Sequence, residues 1–186
     1  MRVIAGKFRS RTLRSLPGMD IRPTLDRLRE TLFNVLTAGN PSALEGSVWI
    51  DLYAGTGAVG IEALSREASM VYFVESAPKA ADLIRGNLQS LKIENGFQIV
   101  KKDSVKAIRS LAAPADFVFL DPPYQLEDEY QRTLSALAES SVVMPATIVI
   151  AEHPKLYDPG DAFSDLRRYR KLVQGDAALS FYRKGP

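Results

Sequence analysis

At 186 residues, 46% hydrophobic and 25% charged, the chain has the length of one domain and a composition far from that of disordered or fibrous sequences. With no cysteine and one histidine it can assemble neither a disulfide framework nor a cysteine–histidine zinc site, and no apolar run approaches the ~20 residues that cross a bilayer. The net charge of +2 is polarised: residues 1–30 hold eight basic and three acidic side chains, residues 165–186 six and two, and the stretch between them ten and seventeen.

A monomer is expected, in the cytoplasm because nothing resembles a secretory leader, without a catalytic metal and without a membrane. One domain is expected over 1–186: a basic arm and helix over 1–40 and a core over 47–186. The arm "RVIAGKFRSRTLRSL" interleaves Arg2, Lys7, Arg9, Arg11 and Arg14 with Gly6, Phe8 and serines, a mixture suited to lying along a phosphate backbone. A solvated basic face is the plain alternative. Next, "IRPTLDRLRETLFNVL" sets Leu25, Leu28, Leu32, Val35 and Leu36 at helical spacing, with Thr24 as the expected cap behind Pro23.

Strand-like and helix-like stretches then alternate. "VWIDLYA" reads as a buried strand, "GAVGIEALSR" as a helix, "MVYFVE" as a strand, and "PKAADLIRGNLQSL" as a helix with proline in its first turn. "FQIVKKD", "VKAIRSLA", "DFVFLD", "EYQRTLSALAESS" and "ATIVIAE" continue the alternation, and "RRYRKLVQGDAALSFYRK" reads as a closing hairpin. The fold class expected is doubly wound α/β: a mostly parallel, seven-stranded, Rossmann-like sheet with an antiparallel last strand.

"DLYAGTGAVG" places Gly55, Gly57 and Gly60 in a G-x-G-x-x-G turn between the first strand and its helix. A turn without ligand, a dinucleotide and S-adenosyl-L-methionine all fit such a loop. Asp51 separates the last two. It would face the pyrophosphate of a dinucleotide unfavourably, whereas a sulfonium and an ammonium welcome a carboxylate. Glu75, ending the second strand, is placed to accept ribose hydroxyls in either class. Asp103, ending the third, could accept an adenine amine or simply cap the next helix. Tyr53, Thr56 and Ser104 flank these positions and are counted with them as cofactor-binding.

The fourth strand runs into Asp121, Pro122, Pro123 and Tyr124. The prolines lack N–H groups and hold the chain extended, so the Pro122 carbonyl is fixed as an acceptor beside the Asp121 carboxylate, with Tyr124 as a flat face. Two acceptors and an aromatic plate suit the exocyclic amine of a stacked base. With an ordinary carboxyl pKa of about 3.9, Asp121 is expected to stabilise charge on nitrogen rather than remove a proton from the neutral amine. A turn that merely stops the strand is the alternative.

These residues resemble a known family. "DLYAGTGAVGIEALSR" with "FLDPPY" is similar to the Rossmann-like exocyclic-amine methyltransferases, and "RVIAGKFRSRTL" with "IRPTLDRLRETLFNVL" resembles the small bacterial 16S ribosomal RNA guanine-N2 methyltransferases. "DPPY" is shared with adenine-N6 and cytosine-N4 enzymes, so it marks the chemistry without choosing the base. The resemblance implies S-adenosyl-L-methionine on Asp51, Gly55, Gly57, Glu75 and Asp103, a guanine amine on Asp121 to Tyr124, and 16S rRNA or the small ribosomal subunit as partner. It also implies roles for Arg22, Thr24, Arg27 and Arg29 in shaping the cofactor cleft or the RNA entrance; Arg22 and Arg27 join the arm's basic residues as expected RNA contacts. The chain departs from the family at Ser10 and Glu67, where glycine is usual. His153, Phe181 and Tyr182 are expected to be structural.

Overall fold

The computed structural model describes residues 1–15 and 23–185, with side chains from Asp26 onward in the second stretch. Arg22 and the side chain of Thr24, expected as a cap, lie outside the described residues. Residues 1–15 fold back on themselves through a bridge between Arg2 and Thr12, burying Val3 and Leu13 while the basic side chains stay outside. The first helix, α1 (Pro23–Leu36), follows.

Alternating elements then build the sheet: β1 (Val48–Leu52), α2 (Ala58–Ser65), β2 (Met70–Val74), α3 (Pro78–Ser90), β3 (Phe97–Val100), α4 (Ser104–Ser110), β4 (Ala115–Leu120), α5 (Glu127–Ala138) and β5 (Val143–Pro154). Three antiparallel strands complete it: β6 (Ala162–Phe163), β7 (Leu166–Gln174) and β8 (Ala177–Lys184). The order across the sheet is β3-β2-β1-β4-β5-β8-β7-β6, with β1 to β5 mutually parallel. The α/β class, the parallel core and the antiparallel closing strand agree with the chain reading. The count is eight rather than seven because β6 is two residues long, too short to leave a periodic signal.

Period-two alternation divides the core. Trp49, Phe73, Phe117, Phe119, Ile150 and Phe181 turn to the face covered by α1, α2 and α3. Ile50, Leu52, Val118, Leu120, Val149 and Tyr182 turn to the face covered by α4 and α5. Helix α1 docks through Leu28, Leu32 and Phe33, whose ring stacks 5.4 Å from Trp49, itself 4.6 Å from Phe117. Its placement brings Arg29 under the arm, where the guanidinium donates to the Arg2 carbonyl at 2.5 Å and to Asp26 at 3.1 Å.

Helix α2 holds the arm. The Glu62 carboxylate, fully buried, accepts the N–H groups of Ile4 at 2.7 Å and Ala5 at 3.0 Å, and Arg66 at 2.8 Å. Lys7 N–H donates to the Ser65 carbonyl at 2.8 Å, so close that a Cβ on Gly6 would stand 1.9 Å from that oxygen. Only glycine fits at residue 6. At the other end of the arm, Arg14 exchanges two hydrogen bonds with the Asn87 amide, which also donates to the Thr56 carbonyl in the glycine loop.

Candidate active site

Because β1 to β5 are parallel, their carboxyl ends meet along one edge, and each brings an acid to it. In spatial order these are Asp103, Glu75, Asp51, Asp121 and Glu152. The strand order reverses between β1 and β4, the position where open α/β sheets form their ligand crevice. A cavity of about 230 Å³ opens there, lined by Tyr53, Val74, Glu75, Ser76, Asp103, Ser104, Pro123, Leu126 and Glu129. Of the expected site residues it meets Tyr53, Glu75, Asp103, Ser104 and Pro123, whereas Asp51, Gly55, Gly57, Asp121, Pro122 and Tyr124 lie outside its lining. A second cavity, of about 290 Å³ and lined by Gly6, Thr37, Leu44 and Arg66 among others, lies at the opposite edge beneath the arm and meets none of the five acids.

On the β1 side the loop is tightly tied. Asp51 is 2% exposed and its Oδ2 accepts the Gly60 N–H at 2.9 Å, locking strand to helix. Burial pushes its carboxyl up to about 8, with the Glu75 charge adding to the effect and the Gly60 hydrogen bond opposing it. Gly60 itself permits the close contact: a Cβ there would stand 2.3 Å from Phe73. Glu75 accepts the Gly55 N–H at 2.9 Å and the Ala77 N–H at 2.8 Å, leaving one lone pair on each oxygen for a further donor.

Around the cavity, Tyr53 adopts a left-handed φ of 59° and its hydroxyl bonds Glu129 at 2.9 Å and Thr133 at 2.7 Å. Burial pushes that phenol up to about 12. Asp103 caps α4, its side chain accepting the Lys106 N–H at 3.2 Å, and it lines the cavity, with Arg132 3.8 Å away. Ser104 is buried beside it. Thr56 is buried in the loop, 3.5 Å from the Met1 sulfur, and lies outside the cavity lining.

On the β4 side, Pro122 is buried, Asp121 half-buried, and Pro123 and Tyr124 exposed. Enclosure of the Asp121 carboxyl, reinforced by the negative charges of Glu152 and Asp51, raises it well above the usual carboxylate range. Tyr124, 42% exposed, donates its hydroxyl to Glu152 Oε1 at 3.3 Å. Glu152 is 8% exposed, and burial pushes it up to about 7 against the opposing effects of Tyr124 and Arg29.

Glu152, Arg29, Glu62 and Asn87 were not singled out as site-shaping residues from sequence, apart from the family role of Arg29. Glu152 had a visible signal, since "ATIVIAE" ends in an acid as the other four strands do. Glu62 and Asn87 had none, being single polar residues on otherwise ordinary helices. His153 is buried; its Nδ1–H donates to the Pro154 carbonyl and its Nε2 accepts from Ser180, both at 2.9 Å. That geometry suits a structural residue, and Phe181 and Tyr182 are likewise fully buried.

The family model described as "Conserved hypothetical protein 95" matches residues 1–183. The chain belongs to this family. It is 32% identical to YlbH of Bacillus subtilis over 187 residues, covering 99% of each chain. It is 34% identical over 158 residues to a Haemophilus influenzae protein named ribosomal RNA small subunit methyltransferase D, covering 83% of this chain and 79% of that one. The solved structure of yhhF from Escherichia coli superposes with a TM-score of 0.83 at 27% identity, covering 99% of this chain and 97% of its own. Membership confirms the family resemblance and makes the chain a methyltransferase. Among the described residues no helix is long and apolar enough to cross a membrane, and no three His, Asp or Glu side chains converge as metal ligands.

Proposed function

We propose that the protein transfers a methyl group from S-adenosyl-L-methionine to the exocyclic N2 amine of a guanine in 16S ribosomal RNA, free or within the small subunit, in the cytoplasm. The observation that carries this reading is the row of five acids on one sheet edge, with a cavity beside it that runs from Glu75 and Asp103 to Pro123 of "DPPY". The names of the Haemophilus and Bacillus relatives support the RNA target.

The residues present fit the cofactor. The Glu75 carboxylate beside the glycine loop repels a pyrophosphate and attracts a cation, and the buried Asp51 carboxyl ties the loop's helix to β1 through Gly60. Glu75 would take the ribose hydroxyls with its remaining lone pairs, Asp103 and Ser104 the adenine end, and Gly55, Thr56 and Gly57 the loop contacts. S-adenosyl-L-methionine supplies an electrophilic methyl on a cationic sulfonium.

On the acceptor side, Asp121 and the Pro122 carbonyl accept the two amine N–H bonds while Tyr124 stacks on the base. Holding both bonds orients the nitrogen lone pair toward the donor, and orientation provides much of the rate. The raised Asp121 carboxyl modifies the expectation from its ordinary pKa: it suits this group to take the proton once the nitrogen has become cationic. Exposed Arg2, Lys7, Arg9, Arg11, Arg14 and Arg27 form the RNA approach, with Arg22 belonging to the same set by sequence.

Incubation with labelled cofactor and under-methylated small subunits, followed by digestion to nucleosides, tests the reading. Label in N2-methylguanosine is expected. Label in N6-methyladenosine, or none, contradicts it.

A further inference from the structure

The parallel pairing of Leu120 with Ala151 sets the next residues, Asp121 and Glu152, level on neighbouring strands, whose backbones run about 4.8 Å apart. Both side chains point to the same face, two residues beyond Phe119 and Ile150 of the core under α1. The Tyr124 hydroxyl reaches Glu152 Oε1 at 3.3 Å, so the ring proposed to stack on the base ends at this second carboxylate. A base held there by its amine therefore meets two acids and a carbonyl in a row.

This row distinguishes bases by the atom next to the amine. Guanine carries a donor there, N1–H, whereas adenine (N1) and cytosine (N3) carry a lone pair. A carboxylate accepts from the first and repels the others. Holding the fold does not call for an acid at residue 152, because a glutamine would accept the Tyr124 hydroxyl equally well without the desolvation cost of a buried charge. Helix α1 meets that cost with a second buried charge: the Arg29 side chain is 5% exposed, its Nε has no hydrogen-bond partner among the described residues, and its charge acts on Glu152.

Resting on the guanine-N2 reading above, we propose that Glu152 is the residue that selects guanine: its carboxylate accepts the base N1–H beside the amine held by Asp121 and the Pro122 carbonyl, and rejects bases with a lone pair at that position. Arg29 is the positioning residue whose buried charge favours the ionised form of this carboxylate beneath α1.

The test uses RNA in which the guanosine first mapped by nucleoside analysis is replaced by 2-aminopurine riboside, which keeps the amine but carries a lone pair at N1. The wild-type protein is expected to favour guanosine by about 10- to 100-fold in kcat/KM, the span of a good base-reading contact. In Glu152→Gln, whose amide can turn to donate to that lone pair, the preference should fall to about threefold or reverse, while calorimetric affinity for S-adenosylhomocysteine stays at the wild-type value. Rescue by glutamine separates N1 readout from loss of the base's O6. Equal rates on both bases with the wild-type protein, a comparison that needs no variant to fold, would overturn the proposal. So would an unchanged preference in Glu152→Gln. Absence of guanine methylation from unmodified RNA would instead sink the amine assignment on which the proposal stands.

Discussion

Asp51 shows how a single buried side chain makes stability depend on pH. Its carboxyl is held protonated in the folded chain up to a pH of about 8, whereas in the unfolded chain it ionises near pH 4, so folding stability falls as pH rises between those limits. Asparagine can still accept the Gly60 N–H and carries no charge to bury. The thermal stability of Asp51→Asn should exceed that of the wild type by at least about 1 kcal/mol at pH 8, roughly 2–4 °C in Tm, with the gap widening from pH 5 to pH 8 and levelling off above. A gap that does not change with pH would show that burial of this acid is not the cause. Ser10 and Glu67 make a second case at this scale. Both hold left-handed backbone, with φ of 66° and 73°, a conformation that suits glycine. Relief of this strain should let Ser10→Gly and Glu67→Gly each stabilise the protein by about 0.5–1 kcal/mol in denaturant unfolding, net of the entropy glycine adds to the unfolded chain. The exposed Lys7–Glu67 pair, 3.3 Å apart, is too solvated to reverse the sign.

The arm was the element least legible in the sequence. Its basic residues suggested RNA contacts and carried no signal of how the backbone is held, which is by Glu62, Ser65 and Asn87 of α2 and α3. Long-range polar contacts of this kind leave no periodicity, and Glu62 sits 57 and 58 residues from the N–H groups it accepts. Replacing it by glutamine turns an amide donor toward one of those groups and loses charge-assisted hydrogen bonds. Glu62→Gln should cost about 2–3 kcal/mol and make residues 1–15 the first site of proteolysis, with weaker RNA binding as a consequence. Wild-type resistance of the arm to protease would show that Glu62 does not hold it. The parallel strands, by contrast, were legible because all but the edge strand β3 are largely buried on both faces and each is punctuated by glycine, proline or an acid. The same rule, applied to "ATIVIAE", could have found Glu152. Arg29 was matched by family likeness, but its burial against Glu152 follows from how α1 crosses the sheet, which helical spacing does not specify.

At the scale of the whole molecule, the acidic middle of the chain and its basic ends serve different surfaces. Folding gathers five acids onto one edge of the sheet, while the arm's arginines stay exposed along the backbone that is tied to α2 and α3. The parallel pairing was readable from the alternation of elements, and with it the edge where a ligand is expected; the order of the strands was not. Readable too was the grouping of Asp51, Glu75, Asp103 and Asp121; the coupling of Asp121 to Glu152 needed the β4–β5 register. The central claim is that Asp121 acts on the amine and not on the cofactor or the fold. Single-turnover methyl transfer by Asp121→Ala, measured beside its calorimetric affinity for S-adenosylhomocysteine, addresses this most directly. The rate should fall by about 10²- to 10³-fold, the effect of deleting one preorganised polar group around a reacting atom, with cofactor affinity within about threefold of the wild type. A wild-type rate, or a loss of cofactor binding as large as the loss of rate, would contradict the account.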